Sequence, residues 1–207
     1  MSVQHADTGP QKAKSFPAAI GFRVKSGWAT AILLVGPVKS PRVIDRRVLK
    51  LSDPAAPEST QPYHAVLEMS EEEGRKVVER LVNVVQSFTK RSVTELLRDY
   101  RNAGCDARSA AFVVGSEVDP ASIKNPHIRA HALEGRLFRT TLEDAVRSYG
   151  LRCSAVTEKA AYSKAASVLR RPEDDLKRVV SALGRSLRMP WRADEKTAAV
   201  AAWMALL

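Results

Sequence analysis

Apolar residues near the start of the chain are grouped in short runs that predict three strands. The runs cover residues 18–24, Trp28–Val35 and 42–51, and the second is so continuously apolar that we expect burial on both of its faces. Ser26 and Gly27 lie between the first two runs and suit a tight turn, because glycine tolerates a positive φ. An antiparallel meander is therefore predicted, followed by a proline-rich loop over residues 52–64.

Farther along the chain, apolar residues recur at helical spacing between short apolar strands. Ser70 is predicted to cap the first helical region, with Glu73 at the capping-box position, and a second helical stretch is predicted from Ser92 to Gly104. The other predicted elements are strands at 110–114 and 153–156 and helices at 126–149, 158–169, 173–187 and from 193 or 194. This order predicts an α/β domain in which helices cover the faces of a mixed sheet.

The length of 207 residues suits one domain with a sizeable core. We expect residues 17–207 to form that domain and residues 1–16, which are polar and lack periodicity, to be a flexible tail. Cys105 and Cys153 form neither a CxxC pair nor a zinc-ligand spacing, so both are expected to be reduced. The polar N-terminus and the short apolar runs predict no signal peptide, no membrane partner and, by default, a cytoplasmic location.

The chain is basic, with 33 Lys and Arg against 23 Asp and Glu and a formal net charge of +10. Such a balance favours a polyanionic partner, and nucleic acid is the partner we expect. The alternative is a basic protein whose cations form an ordinary solvated surface. The candidate nucleic-acid-binding residues are Arg23, Lys25, Lys124, Arg129, Arg136, Lys159 and Lys164.

Two histidines, His127 and His131, are four residues apart in a predicted helix. This spacing places both imidazoles on one helix face, where a pair can bind zinc. The sequence shows no third ligand, and histidines on a helix surface are common. We therefore predict no metal site from this pair.

The second half of the chain contains a series of short motifs in a characteristic order. They are Lys124-Asn125-Pro126 before an Ala-containing helix, Gly150-Leu151 before a strand, Thr157 with Lys159 and Lys164, residues 175–179, and Asp194-Glu195-Lys196-Thr197-Ala198. This series resembles the RuvC-type Holliday-junction resolvases, a branch of the ribonuclease H-like superfamily. The resemblance implies a ribonuclease H-like mixed five-stranded sheet, an antiparallel meander plus parallel strands, flanked by helices. It also implies a homodimer.

Enzymes of that family cut phosphodiesters with two divalent metals, which carboxylate oxygens hold. The resemblance places an Asp on the first strand, a Glu at the end of the fourth strand and two acids three residues apart on the last helix. Here Arg23 stands at the first position and Gly115 at the second. The acids nearest to Gly115 are Glu117 and Asp119, which a solvated loop would explain equally well.

On the last helix, Asp194 matches the first acid of the family pair, but Thr197 stands at the second. Glu195 is adjacent to Asp194 and points about 100° away around the helix. We hypothesise that Arg23 forms an ion pair with Asp194 where the family binds metal. The alternative is that Asp194 only caps the helix, a position where Asp is common.

The leading functional hypothesis is a catalytically degenerate RuvC-like protein that binds nucleic acid and has no cofactor and no enzymatic activity. The first alternative is an active nuclease that uses Mg²⁺ or Mn²⁺ with displaced catalytic carboxylates, Asp194 and Glu117 foremost. The second alternative is a protein-interaction scaffold that binds no nucleic acid.

Overall fold

A computed structural model describes residues 16–115, 117–187 and 189–207, so the predicted N-terminal tail lies outside the described residues except for Phe16. One sheet contains five strands: β1 Phe16–Lys25, β2 Trp28–Val35, β3 Arg42–Lys50, β4 Cys105–Val114 and β5 Arg152–Thr157. Their order across the sheet is β3-β2-β1-β4-β5. The pairs β1–β2 and β2–β3 are antiparallel, and β1–β4 and β4–β5 are parallel. The predicted mixed five-stranded sheet is confirmed.

Five α-helices cover the two faces of the sheet: α1 Glu71–Asn102, α2 Pro126–Arg147, α3 Ala161–Leu169, α4 Glu173–Leu183 and α5 Ala193–Ala205. Side chains of α1 and α2 pack on one face of the sheet, and side chains of α3, α4 and α5 pack on the other. None of the described helices is both long and apolar enough to cross a membrane.

The first helix differs from its prediction because it is continuous over Glu71–Asn102 and does not break at Ser92. Its buried positions explain the continuity. Leu81, Val85, Thr89 and Val93 recur every four residues and carry one buried stripe straight past Ser92. The cap at Ser70 is confirmed, since its hydroxyl accepts a hydrogen bond from the Glu73 N–H at 3.4 Å.

Two later helices also deviate at their ends. The segment Glu158–Ala160 is a 3₁₀ turn that precedes α3, and the Thr157 side chain makes no capping bond to it. After α4 ends at Leu183, the chain continues as a second 3₁₀ turn, Gly184–Ser186. Short 3₁₀ turns are common connectors at helix ends, so these differences shift boundaries without changing the topology.

The last helix lies unusually close to the central strand at Gly21. A Cβ atom at this position would overlap the carbonyl oxygen of Ala198 and lie 2.6 Å from the Ala202 nitrogen. Glycine is therefore the residue that lets α5 reach the sheet. Residues 197–203 of α5 are all buried, which anchors its N-terminal turn beside the end of β1.

Candidate functional site

The carboxyl ends of the three parallel strands meet at one edge of the sheet. Arg23 in β1 pairs in register with Val113 in β4, and Val114 pairs with Thr157 in β5. Residues that follow these strands therefore lie next to one another. In open α/β sheets this edge is the usual place for a ligand site.

Four charged side chains lie together at this edge, and we call Arg23, Lys25, Glu158 and Asp194 the edge cluster. The Arg23 side chain is only 4% exposed, and its guanidinium Nη2 pairs with Glu158 Oε2. Its Nε atom lies 3.7 Å from Asp194 Oδ1, and Lys25 Nζ lies 3.5 Å from the same oxygen. The hypothesised contact between Arg23 and Asp194 is thus present, together with two further partners.

Backbone oxygens also hold the Arg23 guanidinium in place. Its Nη1 atom donates to the carbonyl of Val24 at 3.0 Å and approaches the carbonyl of Val113 at 3.5 Å. Side chains alternate along a strand, so Arg23 faces the same side as Gly21, which α5 covers. The close packing of α5 therefore brings Asp194 to Arg23.

The start of α5 corrects the capping interpretation of Asp194. The N-cap residue is Arg192 and the helix begins at Ala193, so Asp194 lies inside the first turn. Thr197, at the second family position, donates its hydroxyl back to the carbonyls of Ala193 at 2.9 Å and Asp194 at 3.1 Å. Because Arg192 occupies the N-cap position, the Asp194 carboxylate does not cap the helix and instead faces the edge cluster.

Glu195 points away from Asp194, as the helix geometry predicts, and contacts the third strand. Arg46 donates from Nε to Glu195 Oε1 at 3.1 Å, and the backbone N–H of Arg192 donates to Oε2 at 2.9 Å. Burial raises the pKa of Glu195, but these hydrogen bonds outweigh burial and hold the pKa below its ordinary value of 4.5. Glu195 therefore joins α5 to β3.

The two acids that follow β4 pair with α2. Glu117 accepts a hydrogen bond from Arg139 Nη1 at 3.1 Å, and Asp119 lies 3.9 Å from Arg136 Nη1. Both carboxylates are exposed. Among the described side chains, no ion pair joins either acid to the edge cluster.

The remaining candidate cations are exposed and lie around the same edge. Lys124 and Arg129 flank the start of α2, and Lys159 is the second residue after β5. Arg136 lies farther along α2, and Lys164 lies on α3. Because α2 and α3 cover opposite faces, these cations border the edge from both sides.

A cleft of about 570 Å³ opens beside the edge cluster. Arg23, Lys25 and Gly115 line it from the strand ends. Ile128 and His131 of α2 form part of the opposite wall. The lining combines the two cations with apolar side chains, among them Val114 and Ile123.

His131 on the opposite wall of the cleft belongs to a second polar group, the histidine cluster of His64, His127 and His131. Their ligand atoms all lie within 4.8 Å of one another. His64, from the loop before α1, is the third ligand that the sequence did not reveal. No other group of three or more His, Cys, Asp or Glu in the described part of the chain meets this distance.

The sequence matches no model of a known protein family and no curated protein. Among solved structures, Thermus thermophilus RuvC in complex with a Holliday junction substrate is similar, with a TM-score of 0.50 and 12% identity over 90% of each chain. The chain has a RuvC-like ribonuclease H fold. A further T. thermophilus RuvC structure gives a TM-score of 0.49 at 11% identity over 90% of this chain and 92% of that one. The yeast mitochondrial Holliday junction resolvase gives 0.45 at 10% identity over 91% and 77%.

Two members of these clusters escaped the sequence analysis of this RuvC-like chain. Glu158 directly follows β5, and the rule that parallel strands end at a common edge was a usable signal for it. His64 stands in a loop 63 residues before His127, so only the folded loop brings it to the helix. The remaining signal for His64 was the small number of histidines, since three of the four in the sequence form this cluster.

Proposed function

We propose that this RuvC-like domain binds branched or duplex nucleic acid and lacks the two-metal carboxylate centre of the resolvases it resembles. The observation that carries the proposal is the buried guanidinium of Arg23 between Glu158 and Asp194. A guanidinium offers no lone pair to a metal and repels a divalent cation. Its position at the end of β1 is where the resemblance places the first metal-binding Asp.

The charge of the edge cluster supports the same conclusion. Arg23 and Lys25 contribute two positive charges, and Glu158 and Asp194 contribute two negative charges. Two divalent metals would bring four positive charges to a group that is already neutral. Mg²⁺ is held by carboxylate oxygens, and both carboxylates here already pair with cations, so this cluster is a poor metal centre.

Exposed cations around the edge supply the surface for a polyanion. Lys124, Arg129 and Lys159 are exposed, and the net charge of the chain is +10. Contacts of Lys and Arg with phosphates release counterions and provide most of the sequence-independent affinity for DNA. The fold shared with T. thermophilus RuvC, which was solved with a Holliday junction substrate, supports nucleic acid as the partner. Arg23 is buried and paired, so we leave it out of this surface.

A gel-shift and cleavage assay on one labelled four-way junction and its matching duplex tests the proposal. We expect binding in EDTA that weakens as salt rises, and no cleavage with Mn²⁺. The triple variant Lys124→Ala/Arg129→Ala/Lys159→Ala should bind more weakly, with a salt slope smaller by up to about 3, since each phosphate contact contributes about 0.9.

A matched triple variant at the opposite edge of the sheet provides the control. Lys39, Arg42 and Arg108 are exposed, and they lie at the starts of β3 and β4 or in the turn before β3. Replacing all three with Ala removes the same charge as the test variant. Equal losses in both triple variants would show that net charge, and not this edge, binds the nucleic acid.

Other results would assign a different function. Mn²⁺-dependent cleavage that is lost in Asp194→Ala would establish a nuclease with displaced carboxylates. An absence of binding at low salt would refute the proposal and favour a protein-interaction scaffold. The homodimer stays a prediction, which the solution mass from light scattering tests.

A further inference from the structure

The histidine cluster joins two parts of the chain that are distant in sequence. His127 and His131 come from successive turns of α2, and His64 comes from the loop before α1. The ring centre of His64 lies 4.6 Å from that of His127 and 4.2 Å from that of His131. The two α2 rings are 4.8 Å apart. One ion can therefore contact all three imidazoles.

A buried carboxylate lies behind the cluster. Glu134 is fully buried, and its Oε1 atom accepts hydrogen bonds from His64 Nδ1 at 2.7 Å and from the His64 backbone N–H at 3.2 Å. A carboxylate can only accept, so the His64 tautomer that fits this contact has its proton on Nδ1. The lone pair of His64 is then on Nε2, which is where a metal would bind.

Two atoms of this arrangement are left without a hydrogen bond. His64 Nε2 and Glu134 Oε2 are both buried, and neither has a hydrogen-bond partner in the described structure. A buried polar atom without a partner destabilises the fold, so such atoms call for an explanation. An ion bound to Nε2 would satisfy the imidazole. It would also balance the charge of Glu134, whose Oε2 lies 3.9 Å from His131 Nδ1.

We propose that His64, His127 and His131 bind one transition-metal ion of the Zn²⁺ class, with Glu134 as the residue that orients His64. Neutral imidazoles suit Zn²⁺, Co²⁺, Ni²⁺ and Cu²⁺, whereas Mg²⁺ requires oxygen ligands. A carboxylate that accepts from the far nitrogen of a ligating histidine is the usual support of such a ligand.

Three protein ligands leave a further coordination position for water or an anion. His127 and His131 are exposed, so the metal is accessible from solvent. His131 also lines the cleft that contains Arg23 and Lys25. The metal would therefore lie at the wall of that cleft and outside the edge cluster, and it would differ in ligand chemistry from a resolvase metal centre.

Calorimetric titration of Zn²⁺ into the untagged, chelator-treated full chain tests the proposal. We expect one ion per chain and a rise in the melting temperature with Zn²⁺, because a ligand of the folded state stabilises that state. Titration with Co²⁺ should give the visible absorption of a histidine-bound ion. His127→Ala and His131→Ala should each remove the visible band and the thermal shift.

Glu134→Gln distinguishes an orienting carboxylate from a purely structural one. It should retain the 1:1 stoichiometry and weaken Zn²⁺ binding by about 10- to 100-fold. His5→Ala is the matched control, since it removes the one histidine outside the cluster and should leave affinity unchanged.

The two ligands replaced in this test are exposed, so a loss of metal binding in their variants can be separated from a loss of folding. His127 and His131 lie on the surface, so their Ala variants should retain the circular dichroism spectrum of the parent protein. Failure of the parent chain to bind Zn²⁺, or equal binding by the parent, His127→Ala and His131→Ala, would overturn the proposal. A loss of binding in His5→Ala alone would also overturn it.

Discussion

Two polar clusters border the same cleft, and they differ in how completely their groups are satisfied. In the edge cluster, Arg23 and Lys25 face two carboxylates, and every charge has an opposite charge within 4 Å. The buried Arg23 Nε makes no hydrogen bond, but it lies 3.7 Å from the Asp194 carboxylate. In the histidine cluster, His64 Nε2 and Glu134 Oε2 are buried without hydrogen bonds. We call the edge cluster closed because its charges balance one another, and the histidine cluster open because the buried His64 Nε2 has no donor to accept from.

The difference shows how the role of a polar cluster can be inferred from the balance of its charges and lone pairs. A closed set of ion pairs gains little from a ligand, and a ligand would have to displace a partner that is already bound. An open set loses free energy in the absence of a ligand and recovers it on binding. We therefore assign the edge cluster to the unliganded fold and the histidine cluster to the binding of an ion, as proposed above.

The largest effect on stability is expected at Gly21, because the close packing of α5 at this residue brings Asp194 into the edge cluster. Gly21→Ala places a Cβ against the backbone of Ala198, so α5 and Asp194 must move away from the sheet. We expect a loss of about 3 kcal/mol or more in the free energy of unfolding, the upper end for overpacking. Urea denaturation measures it. Gly135→Ala is the control, because its Cβ meets no atom within 4 Å, and it should be neutral or stabilising.

A smaller loss in the free energy of unfolding is expected when the central cation of the edge cluster is removed. Arg23→Met keeps an unbranched apolar side chain like the aliphatic part of arginine, but it leaves Glu158 without its Arg23 partner and Asp194 with Lys25 alone. We expect a loss of about 2 kcal/mol, below the value for a fully buried pair because these carboxylates are 44% and 29% exposed. Arg108→Met removes an exposed pair with Asp106 and should change stability by about 0.5 kcal/mol or less. Equal losses in both variants would contradict a special role for Arg23.

The contact between Glu195 and Arg46 should make the free energy of unfolding depend on pH in the acidic range. Because the folded-state pKa of Glu195 is below 4.5, the stabilisation is present above the unfolded pKa and is lost as the pH falls through the folded pKa. Glu195→Gln should cost about 1–2 kcal/mol at pH 7. Denaturation at a series of pH values from 7 downward should show the parent and the variant converging in acid. A constant difference at all pH values would show that the charge is irrelevant.

The smallest effect is expected in the histidine cluster without metal. His127 is exposed, so His127→Ala in EDTA should change the free energy of unfolding by no more than about 0.5 kcal/mol. With Zn²⁺ present the same variant should be clearly less stable than the parent. A large loss already in EDTA would show that the open cluster stabilises the unliganded fold, and the contrast between the two clusters would fail.

Local patterns in the sequence were sufficient to predict most of the fold. The strand Trp28–Val35 was predicted with its exact ends, because a continuous apolar run bounded by turns has few alternatives. The false break at Ser92 has the opposite origin. Ser92 is polar and interrupts the pattern of apolar residues in the sequence. It does not interrupt the row of buried side chains on α1, which passes through Thr89 and Val93.

The candidate site was predictable only where one element contained the signal. The replacement at Arg23 and the partial match at Asp194 each follow from a single strand or helix. Glu158 and His64 joined their clusters through contacts across 135 and 70 residues, respectively, with Arg23 and Glu134. Such contacts depend on how helices and loops pack on the sheet, which local periodicity does not encode.

The position of α5 has a consequence for how the chain folds as it is made. All five strands leave the ribosome before α5, yet α5 packs against β1, β2 and β4 at once. Until Ala198 and Trp203 of α5 emerge from the ribosome, Ile32, Leu34 and Val113 on one face of the sheet lack the helix that covers them and are exposed to solvent. The nascent chain therefore passes through an interval with an uncovered apolar sheet, when chaperone binding matters most and aggregation is most probable.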